Sequence, residues 1–215
     1  VGICDGGDHI AIGAMTLHRD VAANALLQAH CTVVAEAASG IGSPTIRNRG
    51  TLGGTLAHND PHADMPAALL AVDATVDLRS ASGSRTIRIA DLGVDYLQTS
   101  LAEDELIVAV NVPKDAAASA YVKFHRRAID WSIVGAAAAV RGGAVTVALT
   151  GLGTRPVRAT AFEDAVNGGQ DPEAARALAG DGSAPMEGLD GSAEYKRHLA
   201  GVLAARAVAA ARARG

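Results

Sequence analysis

The sequence predicts an α+β chain in two parts, and three observations predict it. Runs of alternating β-branched residues come in pairs across Gly- or Ser-containing turns, the pattern of antiparallel hairpins. Other stretches repeat apolar residues at the helical spacing of three to four. The small-residue connector Lys114 to Ser119 interrupts both, and the domain boundary is placed there, with residues 1–115 before it and 118–215 after it. At 215 residues the chain has length for one large domain or two small ones, each able to bury a core.

Val1 to Cys4 and His9 to Ala14 flank the turn residues Gly6-Gly7-Asp8 and predict a hairpin. Leu17, Val21, Ala25 and Leu26 then mark a helix with Thr16 as its N-cap, and Val33 to Ala38 a second one. Ser39 to Leu56 has no amphipathic period and is expected to be a loop. Asp60-Pro61 is a strong helix start, because Asp60 can cap free amides and Pro61 is preset for a first turn, so a helix is predicted to Ala71. Thr75 to Arg79 and Ser84 to Ile89 form a hairpin pattern, and Glu105 to Val112 is a strand closed by Pro113. Past the connector, Ala120 to Arg127, Ser132 to Arg141 and Ala144 to Leu149 predict a three-stranded antiparallel sheet, with Gly142-Gly143 as its tight turn. Thr160 to Val166, Asp171 to Ala179 and the long Ser192 to Arg214 read as helices, the last with arginines near the negative end of its dipole.

Composition removes several classes of function. The net charge of −4 and the 3% of aromatic residues argue against a nucleic-acid binder, which needs a basic surface and stacking rings. No apolar run approaches the roughly 20 residues that span a bilayer, and no signal segment is visible. Cys4 and Cys31 are too few and too far apart for a disulfide framework, a zinc ribbon or an iron–sulfur cluster, so both are expected to be small, half-buried side chains in a reducing cytoplasm. His18, His30 and His198 lie in helical patterns and are expected at the surface; no Gly-x-Ser-x-Gly elbow accompanies them.

Chemistry concentrates in residues 46–64. Thr51-Leu52-Gly53-Gly54-Thr55 can turn successive amides toward one anion, since glycine permits close approach, and the two threonine hydroxyls add donors. Asp64, further on, is a candidate acceptor for sugar-like hydroxyls. A competing reading takes His58, Asp60, His62 and Asp64 as metal ligands, but on a helix their spacing of two points them apart.

In this stretch the chain resembles the FAD subunits of molybdenum hydroxylases, those of the carbon monoxide dehydrogenase type above all. The likeness covers nearly the whole chain: Ile10 to Thr16, Arg47 to Gly54, Arg126 to Trp131 and Tyr195 to Leu199 recur in order. It implies the second lobe of a PCMH-type FAD-binding domain followed by a small C-terminal domain with a three-stranded antiparallel sheet and helices. By the same resemblance Thr51, Leu52, Gly53, Gly54 and Thr55 contact the FAD diphosphate and Asp64 the ribityl chain. Trp131 and Ile107 then lie near the isoalloxazine, where an aromatic ring would shield one flavin face. Lys123 and Arg126 are expected to be ordinary solvated residues on a strand. The family's N-terminal lobe, with its first Gly-Gly loop, has no counterpart here; the chain is expected to begin inside a larger protein and, alone, to bind flavin weakly.

The function implied is electron transfer: FAD takes electrons from an iron–sulfur small subunit, itself served by a large molybdenum-cofactor subunit, and passes them to an external acceptor. A cytoplasmic hetero-oligomer without metal of its own on this subunit follows. The rival readings are a subunit-interaction module without flavin and a stand-alone flavin oxidase.

Overall fold

A computed structural model describes residues 1–215. The opening hairpin forms as expected, β1 (Ile3–Asp5) pairing antiparallel with β2 (His9–Gly13). The second hairpin is β3 (Thr75–Arg79) with β4 (Ser84–Arg88), and a small ribbon, β5 (Gly93–Asp95) with β6 (Gln98–Thr99), follows it. The strand β7 (Leu106–Pro113) joins the two hairpins into one antiparallel sheet of order β1-β2-β7-β3-β4.

Six helices cover this sheet, and they depart from the predicted ones. The helix after Thr16 is two, α1 (His18–Ala23) and α2 (Ala25–His30), broken at Asn24, whose side chain caps the second by accepting the Leu27 N–H. Thr16 is not a cap; its hydroxyl exchanges hydrogen bonds with the backbone of Gly2 and ties the chain start to the sheet edge. After α3 (Thr32–Ser39), the predicted loop contains α4 (Pro44–Arg47) and α5 (Leu52–His58). The last, α6, starts at Asp64 and not at Pro61, and runs to Ala71. The Asp60 carboxylate instead closes a turn on the His62 N–H, while the Pro61 carbonyl accepts from Gly151 and Thr150 of the C-terminal part. All eight residues of α6 are buried, as a helix apolar on every side requires.

The C-terminal part is built on β8 (Ser119–Phe124), β9 (Val134–Arg141) and β10 (Ala144–Thr150), the expected meander, extended at one edge by the two-residue β11 (Val157–Arg158). Two helices follow, α7 (Thr160–Asn167) and α8 (Ala193–Arg212), the latter capped by Ser192, whose hydroxyl accepts the Tyr195 N–H. The helix expected at Asp171 to Ala179 is a turn followed by a short 3-10 segment, Arg176–Gly180.

The alanine run of β9 explains how the two parts join. Ala137 and Ala139 face the first core, with Ile10, Val110 and α6, while Ala136 and Ala138 on the opposite face pack with α8 in the second. Small side chains on both faces let helices approach the strand from each side. On α8 the same economy appears at Gly201, where a Cβ would strike the Arg176 carbonyl. Cys31 is fully buried and Cys4 exposed, so neither is the half-buried residue expected.

Candidate functional site

The start of α5 decides what the Thr-x-Gly-Gly segment can do. Thr51 is its N-cap, with Oγ1 accepting the Gly54 N–H at 3.1 Å. The Leu52 N–H donates to the Thr16 carbonyl at 3.0 Å, Gly53 to Ala14 at 2.7 Å, and Thr55 to Thr51 at 3.1 Å. The expectation that these amides point at an anion is therefore corrected: four of the five are spent inside the chain. The glycines serve packing. A Cβ at Gly53 would sit 2.6 Å from that of Ala14, and one at Gly54 would sit 2.8 Å from the capping Oγ1 of Thr51. A helix starting with two glycines has poor intrinsic propensity, and it forms here because α5 is pressed against the end of β2.

What remains open at this helix start is hydroxyl chemistry. Thr51 Oγ1 already accepts, so its own proton is free to be donated outward, and Thr55 adds a second hydroxyl. Both line a cavity of about 420 Å³. Thr51, Gly54 and Thr55 form one wall, Ile41 and Ile46 an apolar one, and Trp131, 57% exposed, stands at the margin. Asp64 and Lys123 complete it on the side where the two parts of the chain meet. Of the residues singled out from sequence, the fold thus brings Thr51, Gly54, Thr55, Asp64 and Trp131 together. Leu52 and Gly53 are buried beneath the helix start, and Ile107 packs against the first core.

Asp64 is only 4% exposed, and its carboxylate is heavily engaged. Oδ2 accepts from Lys123 Nζ at 2.9 Å; Oδ1 accepts from the Tyr121 hydroxyl at 2.6 Å and from the Ser132 hydroxyl. Three of the roughly four acceptor positions of a carboxylate are filled, leaving one on Oδ2 of a residue that lines the cavity. Burial first, then the charge of Asp64, push the Tyr121 phenol well above its ordinary pKa, so it is a fixed donor. Lys123 corrects a second expectation: its side chain is 9% exposed and bonds the Gly40 carbonyl as well as Asp64, so it is no solvated strand residue. The signal that could have found it lies 59 positions away in Asp64, beyond the reach of local pattern. Arg126 is exposed, as expected, and reaches the Leu189 carbonyl.

Two further residues of the cavity escaped the sequence. Arg49 supplies an exposed guanidinium at its rim. His18, expected at the surface, is 3% exposed beneath it, and its Nδ1 is a buried side-chain nitrogen with no hydrogen-bond partner. Burial pulls its pKa down to about 4, only partly offset by the charge of Asp64, so the ring is neutral at pH 7. The four candidate metal ligands do not converge on one point, although His58 Nε2 comes to 3.8 Å from Asp60 Oδ2. His62 Nδ1 contacts the Ser132 carbonyl, Asp60 closes its turn, Asp64 is held by Lys123, and no three metal-binding side chains converge anywhere.

A cavity of about 420 Å³ with two threonine hydroxyls at one helix start, an apolar wall and a marginal aromatic ring has the lining that suits the class of ligand with both hydrogen-bond acceptors and apolar surface. Comparison with known proteins gives that class its identity. Residues 2–115 match the family described as FAD binding domain in molybdopterin dehydrogenase, and residues 119–211 the CO dehydrogenase flavoprotein C-terminal domain. The chain belongs to this family of FAD-binding flavoprotein subunits. It is 35% identical to the carbon monoxide dehydrogenase medium chain of Hydrogenophaga pseudoflava over 99% of this chain and 78% of that one. The nicotine 6-hydroxylase medium subunit of Paenarthrobacter nicotinovorans is also 35% identical, over 97% of this chain and 77% of its own length. The crystal structure of the Hydrogenophaga carbon monoxide dehydrogenase superposes with a TM-score of 0.92 at 38% identity, covering 99% of this chain and 78% of that one. Quinoline 2-oxidoreductase from Pseudomonas putida 86 superposes with 0.89 at 26% identity, covering 99% and 78%. These relatives are dehydrogenase or hydroxylase subunits, and the fold and cofactor class expected from sequence, an oxidoreductase flavoprotein with FAD, stand. No helix is long and apolar enough to cross a membrane.

Proposed function

We propose that this chain is the electron-transfer subunit of a molybdenum hydroxylase complex and that the cleft beside α5 holds its FAD. The observation that carries the reading is unspent donor capacity: the Thr51 and Thr55 hydroxyls line one cavity and donate to no acceptor in the chain. Phosphate and ribityl oxygens are such acceptors, so the residues present fit the cofactor. When bound, FAD supplies one- and two-electron redox chemistry, joining a one-electron iron–sulfur donor to a two-electron acceptor.

The protein residues bind, orient and shield. Thr51 and Thr55 donate to the diphosphate, with Arg49 at the rim adding positive charge. Asp64, held rigid by Lys123, Tyr121 and Ser132, offers its remaining lone pair to a ribityl hydroxyl. Trp131 flanks the isoalloxazine and limits water at one face. Leu52, Gly53 and Ile107 act from behind, fixing the helix start and the sheet on which the cleft rests. Residues 1–115 then form the flavin-binding part and 118–215 the flavoprotein C-terminal part, with Asp64, Tyr121 and Lys123 bonded across the division. The partners in this reading are an iron–sulfur small subunit and a molybdenum-cofactor large subunit in a cytoplasmic hetero-oligomer. The test is to purify the full-length protein with and without those subunits and follow flavin reduction by substrate. Reduction only in the assembled complex supports the reading; reduction by the flavoprotein alone, or a complex free of flavin, overturns it.

A further inference from the structure

His18 is the one side chain with a buried polar atom that the fold leaves unpaired. Its Nδ1 is walled off without a partner, and no hydrogen bond from the chain reaches either ring nitrogen. Unpaired buried nitrogens are rare in native proteins, because each costs about 1–3 kcal/mol, and each calls for a specific explanation. Surface placement does not explain this one, since the ring is 3% exposed. Nor is the ring a loose filler. Its backbone N–H donates to the Gly50 carbonyl at 3.0 Å, and its Cδ2–Nε2 edge lies against Gly50, where a Cβ would come 2.9 Å from Cδ2 and 3.3 Å from Nε2. Gly50 is itself a wall of the cavity, directly before the Thr51 cap, and His18 lines the same cavity. A side chain at position 50 would crowd this edge of the imidazole, and the glycine leaves that space free.

The chemistry of a neutral imidazole fixes what that edge offers. One nitrogen carries a proton and the other a lone pair. A sealed N–H without an acceptor is costlier than a sealed lone pair, so the proton belongs on Nε2 and the lone pair on the enclosed Nδ1. Nε2–H then joins the outward hydroxyl proton of Thr51 as a second uncharged donor.

We propose that His18 is a cofactor-binding residue that donates from Nε2–H to an oxygen of the phosphate–ribityl chain of the flavin dinucleotide. This rests on the functional reading above and adds a donor which that reading does not assign. A neutral donor suits the place: a cation there would sit in the same cavity wall as the ion-paired Lys123 and would have to be desolvated, whereas a neutral N–H binds a charged oxygen without that cost.

The test uses the full-length protein, titrated with FAD by flavin fluorescence and, with ¹⁵N-histidine label, by NMR. The expected result is a wild-type His18 signal of the Nε2–H tautomer that shifts on adding FAD. His18→Phe, which keeps the ring volume without a donor, is expected to weaken FAD binding about tenfold or more, and His18→Gln to recover part of the loss. A wild-type signal of the opposite tautomer, or one unmoved by FAD, overturns the proposal without any mutation. So does His18→Phe binding FAD as tightly as wild type. Wild-type protein that takes up no FAD at all instead sinks the functional reading on which this rests.

Discussion

Two cavities lie at the two ends of α5, and they differ in what their polar groups have left to give. At the C-terminal end a cavity of about 250 Å³ is lined by Leu56, Leu70, Ile89 and Leu92 together with Asn59, Arg155 and Arg158. Asn59 Nδ2 and the Arg158 guanidinium are engaged within the chain, while exposed Arg155 spends one of its five N–H donors there. Asn59, held at a left-handed φ of 49°, donates to the Asp95 and Gln98 carbonyls. Arg158 pairs with Glu163 and Asp73, and Arg155 reaches the Gly93 carbonyl. At the N-terminal end the larger cavity has two free hydroxyl donors and an unpartnered histidine. The difference is one of kind: uncharged donors without a partner in the chain gather at the N-terminal cavity, whereas the free capacity of the other cavity is an exposed guanidinium. Residues at the N-terminal end should govern flavin binding, and those at the C-terminal end only stability.

The largest effect is expected at Asp64. Asp64→Leu leaves Lys123 buried without its counter-ion, which costs about 3–5 kcal/mol in unfolding free energy, and flavin binding is lost with it. Urea denaturation of the flavin-free protein reads this directly. Next is pH. His18 has a folded-state pKa of about 4 against an ordinary 6.5, so the unfolded chain takes up its proton first. Its contribution is whole above pH 6.5 and is lost as pH falls from there through 4, on the order of 3 kcal/mol. His18→Phe should flatten that part of the stability profile.

At the far end of the helix, Asn59→Ala is expected to cost about 2 kcal/mol, from two lost hydrogen bonds and a left-handed backbone unsuited to alanine, with FAD affinity unchanged. A drop in affinity would break the contrast between the two ends. Thr51→Val removes a cap worth about 1 kcal/mol and a donor, so both melting temperature and affinity should fall. The smallest stability change belongs to Thr55→Val, which should lower affinity while the melting temperature stays put.

The same contrast explains what the sequence made legible. Both N-terminal hairpins, the central strand β7, the alanine-rich meander and the long helix α8 follow from local rules of alternation, turn chemistry and helical period, and each was readable. The helix α5 was not, because Gly53-Gly54 argues against a helix until the contact with Ala14 is known. Asp60-Pro61 misled for the opposite reason: a strong local start signal was overridden when the Pro61 carbonyl became an acceptor for Thr150 and Gly151. Of the residues lining the cavity, Thr51, Thr55 and Asp64 were legible in the local chemistry of residues 46–64, and Trp131 through the resemblance. Lys123 and His18 were missed, since burial depends on partners brought together by the fold. The amide-cradle idea failed because a helix start spends its own amides once a threonine caps it and a neighbouring strand end accepts the rest.

The most direct measurement is an FAD titration of full-length wild type, of the double variant Thr51→Val with Thr55→Val, and of Asn59→Ala, each checked for folding by circular dichroism. The account expects about one flavin per wild-type chain, affinity reduced on the order of a hundredfold in the double variant from two lost hydroxyl–phosphate bonds, and wild-type affinity in Asn59→Ala. Undiminished binding by a folded double variant would contradict it.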